Sequence, residues 1–550
     1  MASWTTTVKR IIVFGIPLAA ILLSRAGASA GPLDEMAIDR WAKLREAERY
    51  QLNVAEKLYR EKQYKVAADE YEKFVKLYEK SEGAAFAQLK WSHCQVELRK
   101  QNTAIKEGYQ TLLDYFPESP EAPLASLLIG RTYRDMGDTK LAKKAYAKAI
   151  ATYPKHFAAV MARLDLVEFA RKENDLATQT ALLKELTFDV ERKGPTVEPC
   201  STASRQLARL SFQAGNFEDG LKALATSCAE DDVPVHLMHP NIGGLPAIVS
   251  ALTGAMDEAT KKLGEKLADA SAGWLKVFAT SGLADEKRKA KAIDAWYSAA
   301  EVRRVARQPE KQKAVYEDML KALGVDDTLL GRLAQWHKDN KQMELARTTY
   351  ARFKDTIEGQ NQIANSFVEE KQFDKAIEIY RKLAAADAKT APRWLSAAAM
   401  AYRQGGKPDA AMAVYRELLT SDAKNAADYQ FQIAETLYYA QRWQECITAY
   451  RGTERFPHNF QHMATAHRHL KQYEEARRLY VQIGANSQGH ASWAQYQIAA
   501  TYEQEGKQKE AIFEFKKVCE KFPKSTEGSQ AHAHLNEKYK ITVTLGGAKD

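Results

Sequence analysis

The chain has 550 residues, 80 Lys and Arg against 71 Asp and Glu, and only five cysteines. That length exceeds what one hydrophobic core supports, and so few cysteines exclude a disulfide framework. The formal charge of +9 is spread over lysines that alternate with glutamates, which excludes the basic arm of a nucleic-acid binder and describes solvated helix faces.

Residues 1–30 read as a signal peptide. Lys9 and Arg10 form a basic start, Ile11 to Leu23 is apolar, and Ala28-Ser29-Ala30 supplies the small residues of a cleavage site. Gly15 and Pro17 interrupt the apolar run, which falls short of the roughly 20 residues of a spanning helix. The expected product is exported, periplasmic or extracellular; an uncleaved leader would anchor it to the inner membrane. Loss of Lys9, Arg10 and Arg25 with the leader leaves 9 − 3 = +6. A G-x-S-x-G match at Gly27 to Gly31 straddles the cleavage site and lacks the strand and helix a nucleophile elbow needs.

Residues 31–48 are expected to form an N-terminal capping helix. From there a small residue followed four later by an aromatic recurs: Ala67 and Tyr71, Ala142 and Tyr146, Ala346 and Tyr350, Ala376 and Tyr380, Ala411 and Tyr415, Ala476 and Tyr480, Ala511 and Phe515. Ile105 with Tyr109 and Cys446 with Tyr450 keep the frame. Residues four apart share a helix face, and helix axes approach to about 8 Å only where the crossing residue is small. The pair therefore marks a second helix crossing a first, the aromatic filling the gap to the next unit. Gly137-Asp138 and Gly406-Lys407 supply turns, and Pro117, Pro154 and Pro523 end second helices.

This pattern resembles the tetratricopeptide repeat family. The resemblance implies an all-α, right-handed superhelical solenoid in two arms, 49–231 and 294–528, that leaves a groove lined by first helices. Alanine stands for the family's first-helix glycine at Ala364, Ala399, Ala434, Ala464 and Ala499. Export, first-arm anchors 37 to 38 residues apart and the phrase DYFPESPEAPLASLLIGRTY are similar in architecture to two exported bacterial envelope types: the repeat lipoprotein of the β-barrel assembly machinery and the Tol-Pal coordinator protein.

Within the first arm, Cys200 and Cys228 fall at adjacent ends of two predicted antiparallel helices and are candidates for a disulfide; Cys94, Cys446 and Cys519 read as small core residues. The frame stops over 232–293, expected to be a non-repeat helical connector with Ile248, Leu252, Leu263, Leu267, Trp274 and Phe278 at helical spacing. Residues 529–550 read as a capping helix and a frayed tail.

The register places Arg131 and Arg134 on the groove of the first arm. It places Arg403, Phe431, Tyr438, Tyr439, Arg468, His469, Trp493 and Tyr496 on that of the second, the residue types of binding hot spots. His458, His462, His467 and His469, and the pair His532 and His534, bring no carboxylate or cysteine to complete a metal set. No P-loop, dinucleotide loop or H-E-x-x-H appears. The expected function is a non-enzymatic scaffold that needs no cofactor, takes no small-molecule substrate and no nucleic acid, and binds envelope proteins or peptides. Two alternatives stay open: a membrane-held assembly factor, and a cell-wall glycan-binding protein or enzyme using the central segment. Asp257, Glu258, Glu265 and Asp269 there are spaced as helix-surface charges.

Overall fold

The computed structural model describes residues 35–546; the leader lies outside them. The described residues are helical throughout, without a strand, as the repeat frame requires. The chain divides into two compact units, one ending at Glu317 and one beginning at Asp318, so the division falls inside the helix Pro309–Leu323.

In each unit helices pair as antiparallel hairpins. The first unit begins with Glu46–Arg60 and Tyr64–Leu77 and continues through Ala122–Asp135 with Thr139–Thr152. The second unit repeats the arrangement from Asp327–Asp339 with Met343–Tyr350 to Ala491–Glu505 with Gln508–Lys521. Every alanine of the small–aromatic pairs is fully buried, and every aromatic nearly so. Gly130 shows why the first helix needs a small residue. A methyl group there would lie 2.5 Å from the Tyr146 ring. Buried clusters are local: Ala364, Tyr380 and Trp394 join one pair to the next first helix, and Ala464, Tyr480 and Ala494 do the same further on.

The turn from first to second helix is the most regular element. One residue takes a left-handed conformation at Lys62, Arg99, Gly137, Asn174, Gly215, Arg307, Lys341, Lys371, Gly406, Gln441, Lys471 and Gly506. At each, two hydrogen bonds close a Schellman motif; at Lys371 they are Lys371 N–H to Val368 O at 2.9 Å and Gln372 N–H to Phe367 O at 2.8 Å. Only four of these positions are glycine. The turns recur 37 to 41 residues apart from Lys62 to Gly215 and 30 to 35 apart from Lys341 to Gly506.

Residues 232–293, read from the sequence as a connector, lie wholly within the first unit and continue its helix pairing. Leu245–Thr253 packs on the 25-residue helix Glu258–Gly282, which packs on Lys289–Val305. Gly264 takes the part of the crossing alanine: a Cβ on it would sit 2.7 Å from Thr253 N and 2.8 Å from Leu252 Cβ.

The C-terminal capping helix is present as Thr526–Tyr539, while the extent of the N-terminal helix and the state of the tail differ from expectation. The N-terminal helix is only Ile38–Lys43, tied down by Arg40, which donates to Glu121 at 2.6 Å and to the Glu82 carbonyl at 2.8 Å. At the other end, residues 541–546 are not frayed. Ile541 N–H bonds Leu535 O at 3.1 Å, Gly546 N–H bonds Cys519 O at 3.0 Å, and Val543 packs on the terminal apolar cluster.

Candidate protein-binding surface

The turn residue gives first helices a common register, and at three boundaries between repeats the residue six before the turn meets the residue nine before the next turn. Glu56 meets Lys90 at 3.4 Å, Arg131 meets Asp165 at 2.9 Å, and Glu435 meets His462 at 3.5 Å. In two of the three a repeat tyrosine closes the joint from the second helix: Tyr71 donates to Glu56, and Tyr450 to Glu435. Burial and the adjacent carboxylate push both tyrosine hydroxyls far up, so they remain donors. Lys90, 3 % exposed, also lies 4.0 Å over the Tyr59 ring. The repeat tyrosines, expected to be packing residues alone, thus also fix polar joints.

Several of the expected groove residues are engaged by these joints. Arg131 and Arg134 converge on Asp165, at 2.9 and 3.4 Å. Phe431 is buried against Tyr450 with the Arg455 guanidinium 4.7 Å from its ring centre, and Trp493 packs edge-on to Tyr480 at 5.5 Å. Tyr496 lies against Phe515 at 5.3 Å. Phe431 and Tyr496 thus pack within their own hairpins, and Trp493 packs against the preceding one.

Arg468 bonds Gln497 at 2.8 Å and Gln504 at 2.9 Å, and the other four assemble into one surface. Tyr438 and Tyr439 end the first helix Ala426–Tyr439, and Trp443 opens the second helix just after the Gln441 turn. Tyr438 stands edge-on to Trp443 at 5.5 Å and to His462 at 4.4 Å. His469, from the next first helix, lies flat on Trp443 at 4.2 Å with the planes 1° apart. Tyr439 is 62 % exposed, and the Arg403 guanidinium sits 5.3 Å from its ring centre. Trp443 escaped the sequence reading because it belongs to a second helix; its place two after the turn is the signal that could have found it.

The histidines are dispersed among separate partners. His467 bonds Gln472 at 2.6 Å, His534 bonds Glu503 at 2.8 Å, and burial holds His462 below the usual imidazole value despite Glu435 beside it. Among the described residues no group of three or more His, Cys, Asp or Glu side chains forms a metal site. Cys200 and Cys228 are unbonded, contrary to the candidate bridge. The end of that hairpin is held by Arg192 instead, whose Nη2 donates to Ser204 at 2.5 Å, to Thr226 Oγ1 at 2.7 Å and to the Thr187 carbonyl at 3.1 Å.

Tetratricopeptide repeat models match residues 124–156, 361–426 and 493–525. No match to the chain emerges among curated proteins. Similar solved structures include yeast Tom70, 13 % identical over 88 % of this chain and 95 % of that one, with a TM-score of 0.28. The APC/C hetero-tetramer Cut9–Hcn1 is 13 % identical over 91 % and 99 %, with a TM-score of 0.21. Naa15/Naa10 bound to HypK-THB is 14 % identical over 91 % and 85 %, with a TM-score of 0.24. The helix pairs of the three matched stretches, with their buried small–aromatic crossings and Schellman turns, are tetratricopeptide repeats.

Proposed function

We propose that the protein is a non-catalytic scaffold of the bacterial cell envelope, exported by its leader, that holds peptides or helices of partner proteins on the first-helix face. The observation that carries the binding reading is the Tyr438, Tyr439, Trp443 and His469 group, where Tyr439 and His469 are exposed on first helices. Aromatic side chains held rigid by one another and open to water are the material of binding hot spots. Export rests on the basic, apolar and small-residue sequence of residues 1–30. Among the described residues no helix is long and apolar enough to cross a membrane.

The test is a pull-down from envelope extract with the mature chain and with a Tyr439→Ala, His469→Ala variant, both checked for unchanged helicity. Partners that come down equally with both would place binding elsewhere. N-terminal sequencing of the exported protein tests the leader: a sequence beginning at Gly31 is expected, and retention of Met1 would favour an anchored form.

A further inference from the structure

The alternation of lysine with glutamate that marks most helix surfaces of this chain fails on one second helix, Thr139–Thr152. From Thr139 to Lys155 there are five lysines and no acid. Second helices around it mix the signs: Asp69 and Glu72 stand among Lys65, Lys73 and Lys76 on Tyr64–Leu77, and Glu218 and Asp219 stand beside Lys222 on Phe217–Ala225.

The lysines occupy the outward side. Ala142, Tyr146 and Ala149 bury one side of Thr139–Thr152, and the other presents Lys140, Lys144 and Lys148, four apart, with exposed Ala147 and Ala151 between them. Leu141, 40 % exposed, borders this row, and exposed Lys155 follows just past the helix end. Lys143 turns aside to Glu173 at 2.6 Å, but Lys140, Lys144, Lys148 and Lys155 enter no ion pair among the described residues. At 1.5 Å per residue the row places a charge about every 6 Å. That is closer than the Debye length of about 10 Å at 0.1 M salt, so the charges act together.

The alanines between the lysines offer neither a side-chain donor nor an acceptor, and the row holds no ring on which a base could stack. Such a surface recognises charge density without shape, and a sheet of anionic headgroups supplies it. Leu141 adds an apolar side chain to bury where headgroups meet acyl chains. Export through a membrane, which residues 1–30 are read as directing, brings the first unit to such a sheet.

We propose that Lys140, Lys144 and Lys148, with Leu141 and Lys155 beside them, form a docking face by which the first unit rests on an anionic lipid bilayer. The face lies on a second helix, so it stands or falls separately from the reading of the first helices as a partner-binding surface.

The test is co-sedimentation of the mature chain with vesicles of phosphatidylcholine containing phosphatidylglycerol, against vesicles of phosphatidylcholine alone. Binding to the anionic vesicles only is expected, with release as salt rises from about 0.1 to 1 M and the Debye length falls to about 3 Å. Inorganic phosphate at equal ionic strength should release no more than the salt does. Lys140→Gln, Lys144→Gln and Lys148→Gln should each weaken the partition about fivefold, and the three together about a hundredfold, at unchanged melting temperature. Lys65→Gln, Lys73→Gln and Lys76→Gln together remove the same charge from the neighbouring second helix and should leave binding within about twofold of wild type. Failure to sediment with anionic vesicles, equal sedimentation with both kinds, wild-type binding by the first triple variant, or equal loss in the two triple variants overturns the proposal. So does capture of a soluble acidic protein that the first triple variant alone loses while vesicles go unbound, which would give the row to a protein partner.

Discussion

Gly130 lies under the ring of Tyr146 so closely that a methyl group on its Cα would sit 2.5 Å from both Cδ1 and Cε1. Gly130→Ala improves helix propensity by about 1 kcal/mol, but overpacking a close crossing costs about 1 to 3 kcal/mol. The clash involves a fully buried ring with no free side to move into. Net destabilisation of about 1 to 2 kcal/mol is expected, read as a lower urea midpoint. A midpoint at or above wild type would show that the crossing has slack.

The left-handed turns invite the opposite change. Lys371 and Gln441 hold φ of 59° and 58°, a conformation that costs a side-chain-bearing residue about 1 to 2 kcal/mol. Lys371→Gly and Gln441→Gly should each stabilise the second unit by about 0.5 to 1 kcal/mol, since glycine's greater unfolded entropy offsets part of the relief. Gly406→Ala, at φ 72°, should destabilise by a similar amount. Urea titrations of the three variants decide it; a uniform loss on substitution to glycine would contradict the turn assignment.

Arg40 and Glu121 form an ion pair with side chains 15 % and 7 % exposed. Removing Arg40 leaves Glu121 mostly buried without its cation, at a cost of about 2 to 3 kcal/mol. Arg40→Ala should release the helix Ile38–Lys43 first, seen as faster amide exchange there than at 122–135. Equal exchange of that helix in Arg40→Ala and the wild type would mean that packing of Trp41 and Met36 suffices.

At the far end of the second unit, burial alone would raise the Glu503 carboxyl. Hydrogen bonds from Tyr539, His534 and Lys538 outweigh it and hold the group down at about 2, against the ordinary 4.5. A carboxylate depressed on folding stabilises fully above the unfolded value and loses that contribution as pH falls through the folded one. The helix Thr526–Tyr539 should therefore be fully docked above about pH 4.5 and loosen as the pH drops towards 2. Glu503→Gln should remove that pH dependence, monitored by amide exchange of 526–539. A variant that loosens along the same curve would assign the acid response to other groups.

Cys228 is partly exposed while Cys94, Cys200, Cys446 and Cys519 are buried, and burial pushes all five thiols up. Under native, non-reducing conditions iodoacetamide should modify Cys228 first and the other four only after unfolding. Recovery of a Cys200–Cys228 disulfide peptide would reinstate the bridge.

What the sequence disclosed and what it withheld have physical reasons. Ala142 with Tyr146, or Ala411 with Tyr415, are legible because both members lie on one helix four apart, a local relation repeated at every crossing. The turn at Lys371 or Gln441 is invisible because lysine and glutamine carry no turn preference; they are left-handed because the hairpin demands it. The pairing of Arg131 with Asp165 spans 34 residues, and that of Arg403 with Gln432 spans 29, so local periodicity cannot show which arginines already have a carboxylate. Residues 245–282 escaped as a helix pair because Gly264, not alanine, stands at the crossing, without an aromatic four later.

Three joints between first helices differ in sense: acid then base at Glu56 and Lys90, base then acid at Arg131 and Asp165, acid then imidazole at Glu435 and His462. Hairpins so alike in their apolar faces would stack in many wrong orders with little loss of buried area, the misassembly to which repeat chains are prone. With these joints, seating the hairpin of Glu56 before that of Asp165 would oppose two carboxylates, and seating Arg131 before Lys90 would oppose two cations. At these boundaries the polar side chains thus act as addresses that discriminate among similar neighbours by repulsion.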